Sequence, residues 1–358
     1  MNKLFFTLLL FAFSAYFTEA QNVDIVPKPE SIYIEQGNRK QIINFDFLVS
    51  NRSTDTLSLN KLSVSVFDEE NLLIQTRFLD GNGTAPGILL LPLRIWNGVS
   101  THLLFNPFSE FQIKTNIHHL NYEWTFANPS GKQFKFNTSV YPKTYIQKLK
   151  FNFPLKGRIL VYDGHDYYSH HRRFDYNFKP INDLGLVTNF MRYAYDFVIL
   201  DKQNNQYRNI GEADSDYFGF GNTVYAVAEG KVIYVASHHK DDKIFDIPKL
   251  MDNPLELYGN CVAIQHTDNS VSIYGHLKLN SVKVRMGDQV NAEQEIGQIG
   301  LSGSSFLPHL HFEMRTTITN TAECLPSYFR NIFLVESKLK LPFRSGLAET
   351  GNILETGP

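Results

Sequence analysis

Short runs of alternating apolar and polar residues, each ended by turn residues, are the feature that most limits how this chain can fold. Ile42 to Ser50 and Phe134 to Tyr141 are two such runs, and turn residues such as Gly131 separate them from their neighbours. About seven runs over roughly 120 residues are typical of an antiparallel β-sandwich. We therefore expect an immunoglobulin-like sandwich over residues 21–150.

The runs stay short after Pro154, although glycine, aspartate and histidine become more frequent. Thr223 to Val227 and Asn260 to His266 are predicted strands, and we find no convincing amphipathic helix longer than about ten residues. The sequence thus predicts an all-β chain with a second β-rich domain over residues 151–344. Residues 345–358 are polar and contain glycine, so we expect a loose tail there.

Residues 1–20 have the pattern of a cleaved secretory signal peptide. Lys3 precedes an apolar run from Leu4 to Phe17, and Ala20 is a small residue of the kind that signal peptidase accepts. An uncleaved anchor is the alternative, but the run is shorter than the ~20 residues that span a bilayer. No later run is long and apolar enough to cross a membrane. We expect a secreted chain, periplasmic or extracellular, with no stable membrane span after cleavage.

Charge and cysteine content exclude several classes of function. The 34 basic and 36 acidic residues give a net charge of −2 with no basic block, which argues against an electrostatic nucleic-acid binder. Cys261 and Cys324 could form one disulfide in an oxidising compartment, but two cysteines make neither a disulfide framework nor a cysteine-only metal site. Cys261 lies in a predicted core strand, where we expect an inert, packed thiol.

Three places along the second half carry residues that could act on a metal or a substrate. His309 and His311 are two positions apart in a predicted strand, so both side chains lie on one face. His276 follows the end of another predicted strand. Asp196 lies inside an otherwise apolar run, and a buried carboxylate must be paired, hydrogen-bonded or bound to a metal.

Several motifs in one order resemble the lysostaphin/LytM-type zinc metallopeptidases. The matching elements are Asn260 to Ile264 with His266, Tyr274-Gly275-His276-Leu277, Val284 to Val290 with Gly287-Asp288, Ile296 to Ser305, and Pro308 to Glu313. The resemblance covers roughly Gly157 to Arg315. It implies a β-rich duplicated-hybrid-motif fold, one zinc ion, and hydrolysis of peptide bonds in peptidoglycan cross-links.

The resemblance also assigns roles to individual residues. It makes His311 and Asp196 zinc ligands, and it makes His309 and His276 the catalytic pair that acts on the substrate or the attacking water. One position departs from the family pattern, because Arg192 stands where the histidine of a His-x-x-x-Asp motif is expected. Arginine has no lone pair to give a metal, so either a third ligand comes from elsewhere or there is no functional zinc site.

His171 is the expected third ligand. A catalytic zinc needs three protein ligands but is indifferent to their separation in sequence. The His171-Arg172-Arg173 element resembles a branch of the family in which the ligand histidine is displaced from the aspartate. His170 and His165 are the fallback positions for this ligand.

Asp175 and three other residues have weaker claims to the site. The spacing of His171 and Asp175 matches the usual metal pair, but Asp196 is preferred because its apolar flanks match the family. Glu313 shares the face of His309 and His311 and could orient a ligand histidine. Tyr195 and Tyr274 could donate to an oxyanion, although we expect both to serve packing.

The favoured function is a secreted, zinc-dependent endopeptidase that acts on peptidoglycan peptides. The first alternative is a catalytically inactive relative that binds the cell wall or regulates a wall hydrolase as its protein partner. The arginine at position 192 supports this alternative, whereas the retained His276 and His309 oppose it. The second alternative is an adhesive surface protein whose sandwich does the binding.

Overall fold

The computed structural model describes residues 23–37, 39–336, 339–342 and 348–356. Regular structure in these ranges is almost entirely strand, which confirms the predicted all-β class. The predicted signal peptide lies outside the described residues. Within the described ranges, no helix has both the length and the apolar character needed to cross a membrane.

The amino-terminal half consists of strands arranged in three small sheets. The strands are β1 (Val23–Lys28), β2 (Tyr33–Gln36), β3 (Lys40–Ile43), β4 (Asp46–Asn51), β5 (Leu57–Phe67), β6 (Leu73–Asp80), β7 (Ile95–Trp96), β8 (Ser100–Phe105), β9 (Glu110–Gln112), β10 (His119–Ala127), β11 (Gln133–Val140) and β12 (Lys143–Thr144), with a 3₁₀ helix at Gly87–Leu90. The sheet orders are β1-β4-β8, β11-β10-β5-β6 with β7 beside β5, and β12-β2-β3-β9.

These sheets enclose one apolar core. Alternate residues of β5 and β10 are buried, as the period of two in a half-exposed strand requires. Phe47 packs edge-on against both Tyr122 and Trp124, with ring centroids 4.8 Å apart in each pair. The alternation predicted from the sequence thus produces a packed aromatic core, and the specifically immunoglobulin-like arrangement stays a prediction.

The carboxy-terminal half is organised around one large sheet. Its strands and those beside it are β13 (Phe151–Asn152), β14 (Arg158–Asp163), β15 (Tyr195–Leu200), β16 (Thr223–Tyr225), β17 (Gly230–Ala236), β18 (Cys261–Gln265), β19 (Val271–Gly275), β20 (Gln289–Val290), β21 (Glu295–Gln298), β22 (Leu310–Arg315), β23 (Cys324–Leu325), β24 (Phe329–Arg330), β25 (Ile332–Glu336), β26 (Leu339–Pro342) and β27 (Ile353–Thr356). Short helical segments occur at Lys179–Asn182 (α1) and, as 3₁₀ turns, at Asp214–Asp216, Ile247–Met251 and Pro254–Tyr258.

The large sheet has the order β20-β17-β18-β19-β22-β15-β14-β27-β25-β26, with β23 beside β22. β15 and β22 lie near its centre, and every residue of both strands is buried. A strand that is covered on both faces is usually apolar throughout, so the few polar residues within it indicate a possible functional site. Those residues are Asp196 in β15 and His311, Glu313 and Arg315 in β22.

The expected loose tail after residue 344 is wrong for the part that the structure describes. Ile353–Thr356 forms β27, which pairs with β14 on one side and β25 on the other. Leu354 is fully buried in the core of this half. A single short strand among polar residues carries too little periodicity to be recognised from sequence, and one of its partners, β14, lies far away in the chain.

The two cysteines are not joined. Cys261 in β18 and Cys324 in β23 are both free and buried. The backbone N–H of Tyr193 donates to Cys324 Sγ at 3.2 Å. Burial raises the pKa of both thiols, so they are packed side chains of low reactivity, as expected for Cys261.

Candidate metal centre

The register of four neighbouring strands assembles the polar residues. Asp163 in β14 stands opposite Asp196 in β15, Asp196 stands opposite His311 in β22, and His311 stands opposite Gly275 in β19. His276 directly follows Gly275. Residues that are far apart in sequence therefore form one row across the sheet, and this row is the floor of the candidate site.

Three side chains in this region could hold a metal ion. The ligand atoms of His171, Asp196 and His311 lie within 4.8 Å of one another, and all three residues are buried. His171 Nε2 lies 3.5 Å from Asp196 Oδ1, and His311 Nδ1 donates to the same oxygen at 3.0 Å. Atoms bound tetrahedrally at 2.0–2.1 Å lie about 3.4 Å apart, so two imidazoles and one carboxylate fit zinc in both chemistry and spacing.

The three candidate ligands are strongly coupled electrostatically. Burial alone would raise the pKa of Asp196, but the neighbouring His171 and His309 and the hydrogen bond from His311 hold it well below its ordinary value. Burial alone would lower the pKa of His311, but the hydrogen bond to Asp196 and the nearby carboxylate of Glu313 raise it to about 9. Without a cation, the cluster therefore keeps an ionised Asp196 and a protonated His311 at neutral pH.

Asp163 is a site residue that the sequence reasoning missed. Its Oδ2 lies 3.0 Å from His171 Nδ1 and accepts the backbone N–H of His171 at 3.3 Å. Burial would raise the pKa of Asp163, but His170 and His171 lower it. An ionised carboxylate at Nδ1 favours the tautomer with its proton there, which leaves the Nε2 lone pair facing Asp196. Asp163 follows an apolar run, the same signal that singled out Asp196.

The fallback ligands point elsewhere. The side chain of His170 is 59% exposed and contacts Asp163 at 2.9 Å, so it groups with Asp163 and His171 rather than with Asp196. His165 Nε2 lies 2.9 Å from Glu35 Oε2 in the amino-terminal half. Asp175 Oδ1 accepts the backbone N–H groups of two residues in its own loop. The alternative pair of His171 with Asp175 is therefore not assembled.

His276 and His309 flank the three candidate ligands with defined ring orientations. His309 Nδ1 donates to the carbonyl of Leu307 at 2.7 Å, and His276 Nδ1 donates to the carbonyl of Ser302 at 2.8 Å. A carbonyl can only accept, so in each ring Nε2 is the atom left to exchange a proton. His309 Nε2 lies 3.3 Å from Asp196 Oδ1, and the two rings lie 4.8 Å apart.

The backbone of His276 is held in an unusual conformation. Its φ is 57°, in the left-handed region that few non-glycine residues adopt. Its N–H donates to the carbonyl of Tyr258, and its carbonyl accepts the N–H of Gly300. Burial, followed by the nearby His309 and His311, lowers the pKa of His276 well below its ordinary value. The ring is therefore neutral at neutral pH.

A second buried network supports His311 from the other side. Glu313 Oε2 lies 3.8 Å from His311 Nε2, on the expected face but beyond hydrogen-bond distance. Arg315 Nη2 contacts Glu313 Oε1 at 2.6 Å and donates to Tyr258 Oη at 2.6 Å. The Tyr258 ring stacks on His311 at 4.5 Å. Tyr258 and Arg315 were not anticipated, since neither spacing nor local pattern relates them to His311.

The two tyrosines considered as oxyanion donors lie in the core. Tyr274 Oη accepts the backbone N–H of Val227 at 2.8 Å. The Tyr195 ring stacks on Phe197 with centroids 5.1 Å apart. Both side chains are fully buried in the packed interior, which agrees with the packing role expected from sequence.

The comparisons with known proteins identify the family. The family model described as Peptidase family M23 matches residues 216–323. Lipoprotein NlpD of Yersinia enterocolitica is 33% identical over 95 residues, which are 26% of this chain and 78% of that protein. The chain belongs to peptidase family M23. The M23 match includes His276, His309 and His311, whereas His171 and Asp196 precede it.

Other similar proteins match this chain over only part of their length. Cell division protein DipM of Caulobacter vibrioides is 32% identical over 95 residues, which are 26% of this chain but 13% of DipM. The catalytic domain of the antimicrobial peptidase lysostaphin from Staphylococcus simulans is 25% identical, covers 37% of this chain and 74% of that chain, and has a TM-score of 0.25. The chain thus spans only a small part of DipM.

Proposed function

We propose that this protein is a zinc-dependent endopeptidase that hydrolyses peptide cross-links of peptidoglycan. The observation that carries the proposal is the convergence of His171, Asp196 and His311, with His276 and His309 beside them, in a member of peptidase family M23. Two proton-exchanging rings beside a His-Asp-His set form the minimal apparatus for metal-assisted hydrolysis.

His171 Nε2, Asp196 Oδ1 and His311 Nδ1 would hold the metal. A bound zinc supplies a water of lowered pKa and polarises the scissile carbonyl. The proton on His311 Nδ1 must leave before that atom can bind a metal, so uptake releases a proton at neutral pH. Asp163 would keep the His171 ring in the tautomer that presents Nε2.

His276 and His309 would act on the attacking water and on the tetrahedral oxyanion. The hydrogen bond from His276 Nδ1 to Ser302 fixes the ring, and the lowered pKa keeps its Nε2 lone pair available as a proton acceptor. His309 is fixed in the same way by Leu307. A ring whose Nε2 holds a lone pair can take the water proton, and a ring whose Nε2 carries a proton can donate to the oxyanion. The neutral His276 suits the first of these roles.

The family and the relatives support the proposed substrate class and location. Curated relatives from Escherichia coli and Salmonella typhimurium carry the name murein hydrolase activator NlpD, which links them to the cell wall. A wall substrate requires export, and the signal pattern of residues 1–20 provides it. We therefore infer a secreted, periplasmic or extracellular protein that acts on peptidoglycan peptides.

The second candidate is an inactive wall protein that regulates a hydrolase partner. The relatives named as activators favour it, because such a name describes an effect on another enzyme. The burial of all five site residues, each at most 3% exposed, favours it as well. It does not account for two histidines whose Nδ1 atoms are both fixed by backbone carbonyls.

Metal analysis together with digestion of purified peptidoglycan separates the two candidates. The secreted full-length chain is reconstituted with zinc, dialysed and analysed for metal, then incubated with muropeptides whose products are identified by mass spectrometry. We expect one zinc per chain and new amino termini at the cross-links, with His311→Ala as the inactive control. Bound zinc without cleavage, or no zinc at all, would overturn the peptidase proposal in favour of the regulator.

A further inference from the structure

A buried group of polar residues joins the amino-terminal sheets to the candidate metal centre. Asp46, the first residue of β4, is fully buried and accepts from two guanidinium groups. Arg172 Nη1 donates to Asp46 Oδ1 at 2.5 Å, and Arg192 Nη1 donates to Asp46 Oδ2 at 2.6 Å. We call Asp46, Arg172 and Arg192 the Asp46 cluster. One carboxylate thus faces two buried cations from the other half of the chain.

His171 depends on its surroundings more than the other candidate ligands do. Asp196 and His311 lie in β15 and β22, where the sheet fixes the backbone on both sides. His171 lies in the loop between β14 and α1, outside any strand. Its position is set by hydrogen bonds from Asn189 Nδ2 to its carbonyl and from its N–H to Asp163, and by the residue that follows it.

That residue, Arg172, reaches into the amino-terminal half with its whole guanidinium. Nε donates to Asn44 Oδ1 at 3.0 Å, Nη2 donates to the carbonyl of Phe45 at 2.6 Å, and Nη1 contacts Asp46. Three planar contacts leave a guanidinium little freedom. Because Arg172 is adjacent to His171, these contacts also restrict where the His171 ring can lie.

Arg192 occupies the position where the family pattern expects a ligand histidine. Its guanidinium is 1% exposed and pairs with Asp46 instead of with the metal centre. The Asp46 carboxylate therefore offsets the desolvation of a cation four residues before Asp196, which would otherwise be buried without compensation. The same carboxylate holds the arginine beside the displaced histidine.

We propose that Arg172 is a positioning residue for the metal centre. Asn44, Asp46 and the carbonyl of Phe45 hold its guanidinium, and Arg172 in turn fixes the His171 loop. Asp46 also pairs with Arg192, which keeps that cation away from the ligands. The amino-terminal half is then part of the metal-binding apparatus and not only a targeting module. The inference rests on the proposed function in taking His171 as a zinc ligand.

Arg172→Gln and Arg192→Gln form a matched pair for the test. Each removes one buried guanidinium from Asp46, but only Arg172 is joined to His171. Zinc affinity is measured by competition with a chelator on the full chain, alongside thermal unfolding of the metal-free protein. We expect Arg172→Gln to bind zinc about 10- to 100-fold more weakly than Arg192→Gln, the usual effect of removing an outer-shell partner. Equal affinities would overturn the inference while leaving the proposed function intact.

Asn44→Ala provides a milder variant if the loss of a charge prevents folding. Asn44 Oδ1 accepts from Arg172, and its Nδ2 donates to the carbonyl of His165 in the same loop, so both contacts hold the loop of His171. Its removal leaves the charges of the Asp46 cluster unchanged. We expect Asn44→Ala to bind zinc more weakly than the wild type, as Arg172→Gln does. Unchanged zinc affinity in Asn44→Ala and Arg172→Gln would contradict the inference.

Amide hydrogen exchange tests, in the absence of a metal, whether Arg172 restricts the loop that contains His171. In the metal-free chain, Arg172→Gln should speed exchange of residues 163–173 more than Arg192→Gln does. If the wild type takes up no zinc, the proposed function fails, and this local difference still tests the positioning. Exchange that rises equally in both variants would overturn it.

Discussion

Asp163 Oδ2 lies 3.0 Å from Nδ1 of His171, while Nε2 of the same ring lies 3.5 Å from Asp196 Oδ1. The imidazole thus stands between two carboxylates, one at each nitrogen. A proton at one nitrogen leaves a lone pair at the other, so the arrangement determines which atom can bind a metal. Asp163 and Asp196 have different roles because β14 and β15 present them to opposite sides of the ring.

Replacing Asp163 tests this arrangement. Asp163→Asn removes the charge that favours the Nδ1–H tautomer, so we expect zinc affinity to fall by about 10- to 100-fold. Chelator competition measures the affinity. Asp175→Asn is the matched control, since Asp175 hydrogen-bonds to backbone N–H groups of its own loop and should leave the affinity unchanged. An unaffected Asp163→Asn variant would show that the carboxylate does not orient His171.

Adjacent histidines allow a sharper test of ligand identity. His171→Ala should lose zinc and activity together, because a catalytic zinc has only three protein ligands. His170→Ala should retain the metal, since the ring is largely exposed and contacts Asp163 rather than Asp196. Elemental analysis after reconstitution gives the stoichiometry of both variants. Zinc retained by His171→Ala would remove this residue from the ligand set.

Local patterns and long-range contacts differ in what they can predict. Alternation within short runs predicted the all-β class, and the apolar flanks of Asp196 indicated its burial. Local sequence patterns could not show which of His170 and His171 is the ligand. Neighbouring side chains point in different directions, and tertiary packing decides which of them is buried. The contact of Arg172 with Asp46 joins residues 126 positions apart and depends on how the two halves meet. β27 was missed for the same reason.

The two flanking histidines should separate catalysis from metal binding. His276→Ala and His309→Ala should each retain one zinc but lose about 10²- to 10⁴-fold in turnover, the usual contribution of general acid–base groups. His118→Ala, in the amino-terminal half, is the control for loss of a histidine as such. Muropeptide digestion under saturating zinc measures the rates. Wild-type turnover in either metal-loaded variant would refute its assigned role.

His266 should make the stability of the fold depend on pH. The ring is buried, Nδ1 donates to the carbonyl of Glu229, and Nε2 lies 2.9 Å from Ser272 Oγ. Burial lowers its pKa in the folded protein, although the bond to Glu229 opposes this, whereas the unfolded chain titrates near pH 6.5. Below about pH 6.5 the unfolded state therefore binds a proton that the folded state does not.

The free energy of unfolding should then decrease as the pH falls through this window, with His266 contributing at most about 1.4 kcal/mol per pH unit. His266→Asn keeps a donor in place of Nδ1 but cannot titrate, so its stability should fall less steeply between pH 6.5 and the lowered folded pKa. Urea unfolding of both chains at several pH values measures the two slopes. Identical slopes would mean that His266 binds its proton equally in both states, because every other histidine is common to the pair.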